Sequence, residues 1–186
     1  MPLLPVRSGW DPWSGDDPFY PDDLPPEWRL AYFANVCWAV AVPAARWRAA
    51  AVAGARDWAR DTPSRFRFYL EAEPGLPSAL AAPVAAVLGE RFGGLIGHPL
   101  FDAEQACGLK PRPILGPRAG QGAGLSTTRG LAWTVPAPVI DDPRAARAWI
   151  ERRVSASPVG LILALLGPCP GATVERWQTL VELMGC

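Results

Sequence analysis

Apolar and polar positions sort this chain into alternating short strands and amphipathic helices. Leu3 to Val6 is a short apolar run ending at Arg7-Ser8-Gly9-Trp10, and it reads as a first strand entering a loop. From Asp11 to Pro26 proline and aspartate dominate, which excludes helix and central strand because proline removes a backbone donor and restricts its neighbour. The aromatic residues Trp10, Trp13, Phe19 and Tyr20 are expected to pin that loop to the body. Glu27 to Val36 has helical spacing, with Pro25 and Pro26 at its entrance, where a helix tolerates them. Cys37 to Val42 is a continuous apolar run of the kind buried on both faces. Ala44 to Arg60 is rich in helix formers, interrupted at Gly54 and ended by Thr62-Pro63. Phe66 to Ala72 reads as strand, Leu76 to Glu90 as helix and Phe92 to Gly97 as strand.

The pattern then dissolves. Residues 102–130 are rich in proline and glycine, with one short strand at Arg112 to Leu115, and are expected to form a flexible loop. Gly130 to Val135 recovers as strand. Asp141-Asp142-Pro143 starts a helix whose buried stripe is Ala145, Ala146, Trp149, Ile150 and Val154. Val159 to Leu166 is the clearest buried strand, and Thr173 is expected to cap a last helix with the stripe Val174, Trp177, Leu180, Val181 and Met184. This repeated alternation predicts one α/β domain over residues 1–186, with parallel β-α units in an open or closed sheet.

Composition narrows the functional classes. The chain has 186 residues, and Lys+Arg 18 balances Asp+Glu 18, so no global field attracts nucleic acid or an anionic membrane. The longest apolar run, Leu161 to Leu166, is far below the ~20 residues of a membrane helix. The start of the chain shows no secretory pattern, and a reduced, cytoplasmic setting is expected. Cys37, Cys107, Cys169 and Cys186 are widely spaced and share one histidine, His98, which argues against a zinc site. No cofactor and no metal are expected.

Several short motifs occur in a fixed order: Ser8-Gly9-Trp10, Phe19-Tyr20-Pro21 with Leu24-Pro25, Tyr32-Phe33-Ala34, Trp58 with Thr62-Pro63, Phe66-Arg67-Phe68, and Leu88-Gly89-Glu90-Arg91-Phe92-Gly93. Over about residues 6–101 this order resembles the YecE-like domains of unknown function. The resemblance implies a TIM-barrel-like fold with functional groups at the carboxyl ends of strands. At ~200 residues as the low end for eight β-α units, it also implies a trimmed or incomplete barrel here. The chain departs from the family pattern at its strand ends. Val40-Ala41-Val42-Pro43 stands where the family has Val-Glu-x-Asn, Glu71 replaces a lysine, and His98 aligns with a glutamine.

His98 and Glu71 are the candidate catalytic residues, since an imidazole after one strand and a carboxylate at the end of another suit acid-base chemistry. Arg7, Trp10 and His98 are the candidate ligand-binding residues. Asp11, Asp16, Asp17, Asp22 and Asp23 crowd one loop but lack the spacing of a calcium site, and turn or capping duty is expected. Gly120-Gln121-Gly122-Ala123-Gly124 lacks the ending of a phosphate loop and is expected to be surface. Arg46, Arg48, Arg56 and Arg60 read as a solvated helix face, the tryptophans Trp28, Trp58, Trp149 and Trp177 as packing, and Cys186 as exposed. The lost polar groups at the strand ends point to a non-catalytic domain that binds a protein partner or forms a homo-oligomer. The alternative is an enzyme acting on a small phosphorylated or nucleotide-like ligand through His98, Glu71 and Arg7.

Overall fold

The structure is a computed structural model that describes residues 3–14, 17–73, 77–97, 111–117, 125–156 and 160–186. Its strands are β1 (Leu3–Val6), β2 (Ala39–Val42), β3 (Arg67–Glu71), β4 (Phe92–Ile96), β5 (Arg112–Pro117), β6 (Leu125–Thr134) and β7 (Ile162–Leu165). Its helices are α1 (Arg29–Val36), α2 (Ala44–Asp61), α3 (Ala82–Leu88), α4 (Ala137–Ile140), α5 (Pro143–Ala156) and α6 (Gly171–Leu183). The strands form one seven-stranded sheet in the order β1-β7-β6-β5-β4-β3-β2. The two ends of that order meet beyond β1, where Ser8 bridges Ala41 in parallel register. The Gly9 amide donates to the Ala41 carbonyl at 2.8 Å and the Ala41 amide to the Arg7 carbonyl at 2.9 Å, so the sheet curls into a nearly closed barrel.

The sheet is mixed, which corrects the expectation of parallel strands throughout. β5 runs antiparallel to both β4 and β6, while every other pairing is parallel. The physical reason is connection length. A parallel return needs a crossover of a dozen residues or more, and only residues 118–124 separate β5 from β6.

The short strand expected at Arg112 to Leu115 is present as β5, while the expected loop over 102–130 is corrected at its end, where the first half of β6 falls inside it. Pro113 and Pro117 fit β5 because proline is tolerated at bulges and edges. The β5–β6 register does shift between Ile114 and Leu115 and between Gly116 and Pro117. The glycine run 120–124 lies outside the described residues.

Two apolar layers hold the fold. Inside the barrel, Val6, Ala39, Ala41, Tyr69, Ile96, Ile114, Ala132, Leu163 and Leu165 form one buried cluster. Tyr69 is its largest member, and its ring lies so close to Gly93 that a Cβ there would come within 2.5 Å. Outside, Leu3, Val40, Val42, Phe68, Leu70 and Ile162 point at the helices and join the larger cluster around Phe33, Trp149 and Trp177. Each fully buried Leu, Ile or Phe contributes roughly 1.5–3 kcal/mol of transfer free energy, so the double layer carries most of the stability.

Smaller differences from the sequence reading have local causes. Cys37 caps α1 instead of opening β2. The segment before α3 is a 3-10 turn at Ser78–Ala81, so the helix is shorter than expected. Thr173 does not cap α6, which begins at Gly171 after Pro170, and the Thr173 amide donates to the Pro170 carbonyl at 3.0 Å. Trp28 is 63% exposed and Trp13 is also exposed, whereas Trp58, Trp149 and Trp177 are buried as packing residues. Cys186 is half-buried instead of exposed. Among the described residues no helix is long and apolar enough to cross a membrane.

Candidate functional site

The carboxyl ends of β1, β2, β3, β4, β6 and β7 and the amino end of β5 share one mouth of the barrel. Strand alternation decides what reaches it. Two residues beyond the inward-facing Val6, Tyr69 and Ala132 stand Ser8, Glu71 and Thr134, and two residues before inward-facing Ile114 stands Arg112. On β2 the inward position is the methyl group of Ala41, and on β7 it is Leu165.

Glu71 and Arg112 are the charged residues among these mouth positions. Arg112 lies folded over the end of β4, its Nε donating to the Gly97 carbonyl at 2.8 Å and its Nη2 to the Ile96 carbonyl at 3.4 Å. Burial lowers its pKa, and the field of the Glu71 carboxylate opposes that shift. The Glu71 backbone carbonyl accepts from the Trp47 indole at 2.9 Å, which ties the end of β3 to α2. Arg112 opens the strand expected at Arg112 to Leu115 but was not singled out as a site residue. The signal available was the two-residue step from Ile114 along that strand. His98 lies outside the described residues.

Arg7 and Trp10 sit at the same end of the barrel but outside its wall, under the segment that follows β1. Arg7 is 3% exposed. Its Nη2 donates to the Asp11 carbonyl at 2.6 Å, and its guanidinium carbon stands 5.9 Å from the centre of the Phe33 ring. Trp10 is buried, edge-on to Trp58 at 5.3 Å between ring centres, and Arg46 lies over its other face at 3.8 Å. Arg46 also grips both carboxylate oxygens of Asp11, at 2.5 and 3.2 Å. Arg46 is therefore a packing residue, which corrects its place in the solvated face. Arg48 pairs with Glu73 at 2.7 Å and Arg60 with Asp57 and Asp61 at 2.9 Å, both on the surface.

Of the aspartates of the first loop, Asp17 does the turn work expected of it, whereas the Asp11 carboxylate is engaged by Arg46. Asp17 is buried and accepts from the Trp13 amide at 2.8 Å and the Phe19 amide at 3.2 Å. Asp22 and Asp23 are exposed, and Asp16 lies outside the described residues. Among the described residues no group of three or more His, Cys, Asp or Glu side chains could hold a metal ion.

The motif aromatics come together in space. Trp10 touches Trp58 and Phe68, Phe68 touches Phe66, Phe66 touches Phe33, and Phe33 touches Phe19, with Tyr20 and Tyr32 closing the chain of rings. Edge-to-face pairs of this kind are worth about 0.5–1.5 kcal/mol each beyond burial, so these motifs are a packing device joining β1, α1, α2 and β3.

A second concave region lies on the outer layer, on both sides of α6. One cleft of about 300 Å³ is lined by Ile140, Ala146, Trp177, Leu180 and Leu183, and another of about 510 Å³ by Val154, Leu180, Leu183, Met184 and Cys186. Leu183 borders both and is 81% exposed. Each cleft carries an ion pair on its rim, Arg176 with Asp141 at 2.8 Å and Arg147 with Glu151 at 2.9 Å. Set against family models, curated proteins and solved structures, the chain matches none.

Proposed function

We propose that this chain is a trimmed, YecE-like and TIM-barrel-like domain that works by protein contact, as an assembly component, through the α5–α6 edge. The observation that carries the reading is Leu183, a large apolar side chain standing in solvent between two clefts. Its occupant is a second copy of the chain. Both rims carry charges of both signs, so each offers a second copy a charge of opposite sign, and the zero net charge of the chain sets up no overall repulsion between copies.

Light scattering after size-exclusion chromatography, over a range of protein concentrations, tests it. The wild type is expected to be a dimer and Leu183→Glu a monomer with an unchanged circular dichroism spectrum. A wild type that is monomeric throughout overturns the reading. A different protein bound stoichiometrically in material from the native host overturns the second-copy assignment.

One observation favours a second reading, in which the mouth holds a small phosphorylated or nucleotide-like ligand and acts on it. The Ile96 and Gly97 carbonyls hold the Arg112 guanidinium at the mouth that Glu71 also reaches, which supplies a fixed cation for an anion and a carboxylate to move a proton. Binding of a nucleoside monophosphate that is lost in Arg112→Met supports this reading, and no binding by the wild type removes it.

A further inference from the structure

Arg7 is the one buried cation whose charge has no contacting counterpart among the described residues. Its Nε and Nη1, three of the five N–H groups of a guanidinium, have no hydrogen-bond partner. The neighbouring groups with which it interacts do not neutralise it. Asp11 offers its backbone carbonyl, because its carboxylate is taken by Arg46. Asp17 spends its carboxylate on the amides of Trp13 and Phe19. Tyr20 donates its hydroxyl to the Trp10 carbonyl, and burial holds its proton on. The Cys37 thiol is pushed up by burial, and that of Cys169 up to about 11, so both stay neutral. A buried cation left in this state is expensive, as is each unmet donor.

The surroundings also favour negative charge. Arg7 ends β1 beside the β7–α6 turn, where the Ser8 amide donates to the Gly167 carbonyl at 3.1 Å. Cys169 in that turn feels the Arg7 charge. Two residues later α6, a helix of 13 residues, opens at Gly171 with no side chain capping it, so the positive end of its dipole is turned toward the same turn. The Phe19 ring lies against Gly171, where a Cβ would come within 2.1 Å, and Phe33 flanks Arg7. These rings keep water away and strengthen any charge interaction beneath them.

We propose that Arg7, with the start of α6, forms an oxyanion site that takes a phosphate group, free or as a small monoester. A tetrahedral dianion presents acceptors in every direction, which suits donors diverging from Nε, Nη1 and a helix start. A planar carboxylate is better matched by two parallel bonds from one guanidinium edge. The site stands apart from the α5–α6 edge and from the Glu71–Arg112 pair, and its fate is independent of both readings above.

The test uses the full chain, titrated in parallel with inorganic phosphate and with glycerol phosphate at fixed ionic strength. Phosphorus NMR line width and thermal unfolding are both followed. Saturable binding is expected for at least one of them, and at ten times Kd the unfolded fraction should fall about elevenfold. Arg7→Met is expected to abolish the response while unfolding no earlier than the wild type in phosphate-free buffer, because it deletes an unmet buried charge. Arg7→Lys, which keeps the charge, should bind more weakly than the wild type. Absence of saturable binding by the wild type overturns the proposal whether or not the variants fold. So does an Arg7→Met protein that responds as the wild type does.

Discussion

Gln178 on α6 bonds both sides of the turn that leads into Trp38, although the two residues are 140 positions apart. Its Oε1 accepts from the Trp38 amide at 2.9 Å, and its Nε2 donates to the Val36 carbonyl at 3.1 Å. The last helix thereby satisfies an orphan carbonyl at the end of α1 and an orphan amide just before β2. Gln178 is buried, so water is a poor substitute. Gln178→Leu is expected to cost about 2–6 kcal/mol, the sum over two unmet backbone groups. Urea unfolding with an unchanged m-value checks it, and a loss below about 0.5 kcal/mol would mean that solvent reaches the turn.

Ala51 sits inside α2 with φ 50° and ψ −152°, a conformation an L side chain rarely adopts. The strain is of the order of 1–3 kcal/mol. The side chain is exposed, so removing it sacrifices no packing. Ala51→Gly is expected to stabilise by about 1 kcal/mol after the larger backbone entropy of glycine is subtracted. Gly54 has the opposite requirement, because a Cβ there would stand 2.6 Å from the Ala50 Cβ. Gly54→Ala should destabilise. Thermal unfolding of the two variants against the wild type decides both signs.

The parts of the fold that could be read from the chain are those where pattern and propensity agree. β2 and β7 are apolar throughout and buried on both faces, and the stripe Val174, Trp177 and Val181 marks the inner face of α6. β5 was legible as the short strand Arg112 to Leu115 despite Pro113, whereas the first half of β6 was not, because Leu125 to Arg129 is polar apart from Leu125 and follows a glycine run. Arg112 was read as the start of that strand but not as a mouth residue. The role of Arg46 was hidden for another reason. A guanidinium on a helix is solvated by default, and nothing local to Ala44–Asp61 announces that Trp10, far away in sequence, lies beneath it. Trp10 was legible as a residue that pins the first loop to the body, but the burial of Arg7 was not, because it depends on the loop that folds back over it.

Arg46 makes two interactions with Trp10 and Asp11, and their weights differ. The Asp11 side chain is 63% exposed, so the ion pair is screened and worth little. The stack on the indole is pressed against the body and should dominate. Asp11→Asn is therefore expected to cost less than about 0.5 kcal/mol, and Arg46→Ala about 1–2 kcal/mol. Arg46→Lys, which loses the planar stack and the fork, should fall between them. Equal losses at Asp11 and Arg46 would show that the ion pair is the stronger part.

Alkaline pH should weaken the fold through the interior of the barrel. Burial pushes the Tyr69 hydroxyl up to about 12 from its ordinary 10.0, with Arg67 opposing the shift. Between those values the unfolded chain has released the proton and the folded chain has kept it. The unfolded state therefore binds fewer protons, and stability falls as pH rises. The contribution is fully present below pH 10 and is lost through about pH 12, at up to about 1.4 kcal/mol per unit and about 2–3 kcal/mol in total. Cys169, pushed up from 9.0 to about 11 by burial, acts in the same direction but begins to act one unit lower. Tyr69→Phe separates the two. It keeps the ring against Gly93 and removes the titrating group, so the decline beginning near pH 9 should persist and the decline between pH 10 and 12 should become shallower by about one proton, the remainder coming from Cys169, Cys37 and Tyr20, which burial also raises. Urea midpoints measured from neutral pH to pH 12 read the slope directly, and an unchanged slope in Tyr69→Phe would mean that the hydroxyl is solvated in the folded barrel.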